Sequence, residues 1–188
     1  MSHSDKINLF KEETIKFNKK HNLISKKHTD KIIDEAVEEA KALTKHLKQH
    51  KNILDIGTGS GLPGIPLAIF NENKNIYLSE KNNKKNYHLK KIIKLLEIEN
   101  ATTIGGANKN TKMNKKVDCV VTKAFASTKK TIDTANRFLE KPFTFMLLKG
   151  RLEIINKEIA EANISKQNYE IIKIENEKEK HILKIQNE

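Results

Sequence analysis

Apolar residues in the first fifty positions recur at helical spacing. Leu9, Phe10, Ile15 and Phe17 fall within residues 4–20, which read as one helix. Ile32, Ile33, Ala36, Val37, Ala40, Leu43 and Leu47 recur at i, i+3, i+4 intervals, predicting a second helix over residues 29–49. Thr29 or Asp30 is placed to cap it. From Asn52 the pattern changes. Short apolar runs at 53–56, 76–79, 101–104, 117–122 and 143–148 alternate with helical segments at 63–70, 82–96, 128–139 and 152–162. Residues 169–174 and 181–185 flank a polar turn and alternate apolar with polar, which predicts an antiparallel hairpin. A run as apolar as 117–122 suits a strand buried in a parallel sheet. Strands alternating with helices predict an α/β, doubly wound sheet with right-handed crossovers. The expected architecture is one structural domain, with residues 1–50 as an N-terminal helical extension and 51–188 as a Rossmann-like core ending in the hairpin.

One stretch interrupts this periodicity. Ile53-Leu54-Asp55-Ile56 runs into Gly57-Thr58-Gly59-Ser60-Gly61-Leu62-Pro63-Gly64, so that four of the seven glycines lie within eight positions. Glycine lets the backbone turn sharply and approach a ligand closely. Amides at the start of the following helix suit a polar or anionic group. Two readings of the turn compete. Gly59-Ser60-Gly61-Leu62-Pro63-Gly64 formally matches the dinucleotide fingerprint G-x-G-x-x-G, with Glu80 nineteen positions after Gly61 as the ribose-binding acid. However, the first glycine of that fingerprint sits directly at the strand end. Here the strand runs into Asp55-x-Gly57-x-Gly59-x-Gly61, which is similar to the first motif of Rossmann-like S-adenosylmethionine (SAM) methyltransferases. SAM has no pyrophosphate, so an acid near the loop can favour its ammonium, directly or through water. Glu80, ending the second strand, would accept hydrogen bonds from the ribose.

Composition narrows the class without deciding it. The chain has 188 residues, 37% hydrophobic and 32% charged, which fits a globular protein with a heavily solvated exterior. No window approaches a membrane span, the first ten residues lack the apolar core of a secretory signal, and the single Cys119 fits a reducing compartment. A cytoplasmic monomer is expected. The net charge of +12 points toward nucleic acid. Arginine occurs only at 137 and 151, though, the lysines are dispersed, and A/T-rich codon usage could produce much of this bias, so the charge favours nucleic acid only modestly over a solvated lysine surface.

The residues then carry a family resemblance. The stretch from Leu54 to Leu67, with its Leu62-Pro63-Gly64-Ile65-Pro66 continuation, resembles the RsmG (GidB) family, which methylates N7 of a guanine in bacterial 16S rRNA with SAM. Further resemblances lie in Phe17-Asn18…Asn22-Leu23, in Lys84-Lys85 and Leu89, in Thr122-Lys123-Ala124-Phe125-Ala126-Ser127, in Leu148-Lys149-Gly150 and in Lys180-His181. The resemblance implies SAM as cofactor and 16S rRNA, or a small-subunit precursor, as partner. It places Asp55, Gly57, Gly59, Gly61, Leu62, Glu80, Asn108, Lys109 and Lys123 at the cofactor, and Lys123 and Phe125 where they position the reacting groups. Lys19, Lys20, Lys84, Lys85 and Lys149 are its candidate RNA contacts. Two residues and one motif depart from the family. Lys123 stands where the family has Arg, Lys109 where it has an acid, and its His-x-x-Asp-Ser motif falls on Val37, Ala40 and Lys41. A methyltransferase of another substrate, or a non-catalytic RNA-binding relative, would be compatible with those losses.

Guanine N7 is a nucleophile without a proton to remove, so the absence of an obvious acid–base pair fits this chemistry. Asp118 is better placed for a turn or capping role than as a base. Ser127 or Thr128 is expected to cap the following helix. Phe125 reads either as a ring at the pocket or as core packing. His46 and His50 are i, i+4 on the predicted second helix, but no third ligand accompanies them. They are expected to face solvent, and no metal site is expected. Cys119 is expected in the core.

Overall fold

Alternate residues of the central strands bury on opposite faces, which is what makes the sheet a divider between two cores. The computed structural model describes residues 1–25, 27–107, 111, 113, 115–175 and 179–187. Among these, seven strands form one sheet: β1 (Asn52–Ile56), β2 (Asn75–Ser79), β3 (Ala101–Gly105), β4 (Val117–Lys123), β5 (Leu139–Lys149), β6 (Tyr169–Lys173) and β7 (His181–Asn187). Their spatial order is β3-β2-β1-β4-β5-β7-β6. β1 to β5 pair in parallel, and β7 joins β5 and β6 antiparallel. The doubly wound sheet and the terminal hairpin are therefore both present.

Ile53, Cys119, Val121, Met146 and Leu148 face a core shared with α1 (His3–His21), α2 (Thr29–Thr44), α3 (Gly64–Phe70) and α4 (Asn83–Leu95). Leu54, Ile56, Val120, Phe145 and Leu147 face the other core, covered by α5 (Thr128–Ala135) and α6 (Leu152–Glu161). The first two helices thus pack on one sheet face, with Phe10, Ile33, Ala36, Ala40 and Leu43 fully buried there. α1 starts from a Ser2–Asp5 capping box and ends on Asn22 in the left-handed conformation. Asn18 fixes the connection to α2: its side chain accepts from the Ile24 N–H at 3.0 Å and donates to Thr29 Oγ1 at 3.2 Å.

Three element boundaries differ from the periodic reading. α2 ends at Thr44, not near 49, because the next residues switch to tighter turns such as His46 N to Leu43 O and His50 N to Leu47 O. These turns still bury Leu47 while feeding the chain into β1. His46 and His50 therefore share no helix face, and His50 is buried rather than facing solvent, with Nδ1 3.7 Å from Asp118 Oδ1. Burial lowers its pKa against the opposing pull of Asp118. The helix expected over 128–139 stops at Ala135, and after a short turn β5 begins at Leu139, earlier than expected. Leu139 pairs with Val117 before a register shift lets Thr144 pair with Cys119. Cys119 is buried. Asp118 lies at the amino end of β4, where its carboxylate accepts the Lys51 N–H at 2.9 Å and the Asn52 N–H at 3.2 Å. No described helix is long and apolar enough to cross a membrane.

Candidate active site

The carboxyl ends of the parallel strands meet at the β1–β4 neighbourhood, where the strand order reverses direction and ligands of such sheets bind. The glycine turn leaves β1 here. Gly57 N–H and Thr58 N–H donate to the Ser79 carbonyl at 2.9 and 3.1 Å, which ties the turn to the end of β2. Gly59 N–H donates to Glu80 Oε2 at 3.1 Å, and Asn82 N–H donates to Glu80 Oε1 at 2.7 Å. Glu80 is thereby locked between the turn and the start of α4.

Gly57 has φ +73°, and a Cβ there would lie 2.5 Å from Phe125 Cδ2. The ring of Phe125 thus rests on the glycine backbone, an approach that no larger residue permits. Asp55 sits beneath the turn. It follows Ile53 in the two-residue period of β1, so it points to the α3 side, where it is fully buried and accepts the Gly64 N–H at 2.9 Å. Burial pushes its pKa up to about 7, against the lowering influence of Thr58 and Gly64. Leu62 also turns inward and joins the core on that side.

Two cavities open at this edge. The first, about 490 Å³, lies within the range of small-molecule sites. It is lined by Gly57, Ser79, Glu80, Lys85, Ala107 and Phe125, among others. The second, about 300 Å³, is lined by Glu39, Lys123, Phe125, Lys149, Glu158 and Lys180, among others. Ala124, Phe125 and Ala126 line both, so the segment after β4 is their common wall. A larger cavity of about 890 Å³ lies at the opposite ends of the strands, around Asp118 and Phe143, remote from the glycine turn.

The second cavity is electrostatically paired. Glu39, from α2, is almost fully buried and ion-pairs with Lys123 through Oε2 and with Lys180 through Oε1, the latter at 2.8 Å. Burial works against the charge of Lys180, but Glu39 and Glu35 outweigh it and hold its pKa above the usual value. Lys149 contacts Glu158 Oε2 at 2.6 Å and the Ala126 carbonyl at 3.3 Å. Burial pushes the Glu158 pKa up, but Lys149 and Thr128 outweigh it and bring it below the ordinary range.

The predicted residues thus fall into groups. Gly57, Glu80, Lys85 and Phe125 line the first cavity; Lys123, Phe125 and Lys149 line the second. Gly59 and Gly61 shape the turn, and Asp55 and Leu62 support it from below. Asn108 and Lys109 lie outside the described residues. Lys19, Lys20 and Lys84 are exposed. The first two end α1, whose Phe17 ring lies 6.4 Å from the Tyr87 ring on α4, and Lys84 lies in the first turn of α4. Ser127 caps α5 by accepting from Lys130 N–H. Sequence reasoning missed Glu39 and Glu158. Glu39 left one signal: it lies on the same helical stripe as Ala36, Ala40 and Leu43, a carboxylate at a core-facing position.

The fit to SAM rests on the turn itself. At Gly59, a Cβ would meet nothing closer than the Gly57 carbonyl at 3.8 Å, so the turn is open on that side while Glu80 closes the next. Fold, glycine turn and carboxylate together define a Rossmann-like, class I SAM-dependent methyltransferase. Solved structures agree on the fold. The precorrin-6y C5,15-methyltransferase of Geobacter metallireducens superposes with a TM-score of 0.59 at 16% identity, covering 80% of this chain and 89% of that one. M. jannaschii TYW2 in complex with AdoMet superposes with a TM-score of 0.58 at 22% identity, covering 80% and 74%. The sequence is more specific. The chain belongs to the GidB family, rRNA small subunit methyltransferase G, which it matches over residues 3–183. The ribosomal RNA small subunit methyltransferase G of Brachyspira hyodysenteriae is 32% identical over 172 residues, covering 90% of this chain and 83% of that protein.

Proposed function

We propose that this protein transfers the methyl group of SAM to N7 of a guanine in 16S ribosomal RNA, acting as a monomer in the cytoplasm. The observation that carries the cofactor half of this reading is the tie between the Gly59 amide and Glu80 at the mouth of the first cavity. The family carries the RNA half. Bound there, SAM supplies a methyl group activated by its sulfonium. Glu80 Oε1 and Oε2 each take one backbone N–H, which leaves each a lone pair for a ribose hydroxyl. Gly57 admits the Phe125 ring against the turn, and the open side of Gly59 lets the ligand approach the backbone.

The chain's own residues do little proton chemistry. N7 carries a lone pair in the ring plane and no hydrogen. Lys123, Lys149 and Lys180 are each held by a carboxylate at the second cavity. Alignment of N7 with the methyl carbon is then the main contribution, and positioning of this kind is worth about 7–11 kcal/mol at its upper range. Phe125, shared by both cavities, and Lys123 are the positioning residues. Lys19 and Lys20 at the end of α1 and Lys84 and Lys85 at the start of α4 are the phosphate-contacting rim; Lys149 acts from within the second cavity.

Calorimetric titration with SAM, followed by transfer from labelled SAM to small-subunit RNA, tests the reading. Saturable SAM binding and label confined to N7 of guanine are expected. Label in no guanine would overturn it.

A further inference from the structure

We infer that Glu158 reads the Watson–Crick edge of the target guanine in the second cavity, through its Oε1 oxygen. The inference rests on the proposed reaction and names the site of its acceptor. Three donors converge on the other oxygen, Oε2: Thr128 N–H at 3.0 Å, Thr128 Oγ1 at 2.6 Å and Lys149 Nζ at 2.6 Å. They fix the carboxylate from one side. Oε1 accepts nothing from any described residue, and Glu158 lines the second cavity only. An anchored carboxylate with one oxygen left over on a cavity wall is a built acceptor for donors that arrive with a ligand.

The cavity's size and walls select the ligand. About 300 Å³ is the low end for small-molecule sites and suits one ring system. Phe125 supplies an aromatic wall, as bases taken out of an RNA strand require. Guanine presents two donors side by side, N1–H and the exocyclic N2–H, and the single free oxygen Oε1, with its two lone pairs, accepts them as a fork. Adenine presents a lone pair at N1, which a carboxylate repels. In guanine, N7 lies on the ring edge away from N1 and N2. A base gripped by Glu158 from the α6 side therefore presents N7 away from α6, toward the Ala124–Ala126 edge that the two cavities share. Glu158 is thus a specificity-determining residue.

The test uses the full chain saturated with S-adenosylhomocysteine and titrated with GMP, IMP and AMP. IMP keeps N1–H but lacks the N2 amine. The expected order of affinity is GMP, IMP, AMP, with GMP ahead of AMP by about 10- to 100-fold, the weight of charge-assisted hydrogen bonds. Glu158→Gln is expected to erase that preference while SAM affinity stays at the parental value. Should the variant fail to fold, the parental series decides alone. Equal or undetectable binding of GMP and AMP overturns the inference, as does a parental kcat/KM of Glu158→Gln on small-subunit RNA. A parent that transfers no methyl to RNA yet prefers GMP would refute the proposed reaction and support the base pocket.

Discussion

A methyl group added at different glycines of the turn meets different surroundings, and this separates folding from ligand contact at the residue scale. At Gly64 a Cβ would lie 2.3 Å from Leu78 Cδ2 and 2.6 Å from Asp55 Oδ2, in the buried space under the turn. Gly64→Ala is expected to destabilise the protein by about 1–3 kcal/mol in urea unfolding, the usual cost of overpacking a core. At Gly59 the space is open, and the cost comes from the left-handed backbone at φ +61°, about 1–2 kcal/mol for a residue with a Cβ. Gly59→Ala should therefore remain folded, while calorimetry should find SAM bound about tenfold more weakly, the loss of about 1.4 kcal/mol of contact. SAM affinity unchanged in Gly59→Ala would place the ligand elsewhere.

At the scale of elements, the charged pairs join parts of the chain that are distant in sequence. Glu39 of α2 links the ends of β4 and β7 by holding Lys123 and Lys180 together. Removing one partner of a buried pair costs about 3–5 kcal/mol when the remaining charge stays buried. Here the lysine side chains are 21% and 30% exposed and can turn to water, so Glu39→Gln should cost less than that range. The double variant Glu39→Gln with Lys123→Met should recover part of the loss, which a double-mutant cycle in urea measures. Position 40, where the resemblance led to the expectation of an Asp, is a buried Ala, and the neighbouring Glu39 is the acid that reaches Lys123. The helix periodicity made α2 legible; which of its acids pointed inward depended on how the helix rolled against α3 and the strand ends.

For the whole molecule, two buried groups set opposite pH slopes. The Asp55 pKa rises from 3.8 unfolded to about 7 folded, so the native state binds the extra proton. Its contribution is present below about pH 4 and is lost as pH rises through 7. His88, packed between Thr14 (3.2 Å) and the Phe17 ring (4.7 Å), is pushed down by burial from 6.5 to about 4. Its contribution is present above pH 6.5 and is lost as pH falls through 4. The two slopes oppose each other between about pH 4 and 6.5, and Asp55 alone acts above that. Relative to the parent, Asp55→Asn should gain stability as pH rises from 4 to 7, and His88→Gln should lose it from 4 to 6.5; thermal melts across that range check both. Parallel profiles for parent and variants would remove these groups as the cause. The alternation of strands and helices, the glycine turn, Glu80 and the family were legible in the sequence because each is local: a period, a spacing or a run of adjacent residues. The second cavity was not. It is assembled from Glu39, Lys123, Lys149, Glu158 and Lys180, which lie on five different segments and look like ordinary surface charge until the parallel sheet brings their ends to one edge. Asp55 shows the same division: the sequence fixes its place before the turn, and only burial against α3 turns it from a ligand-facing acid into the support beneath the turn and raises its pKa.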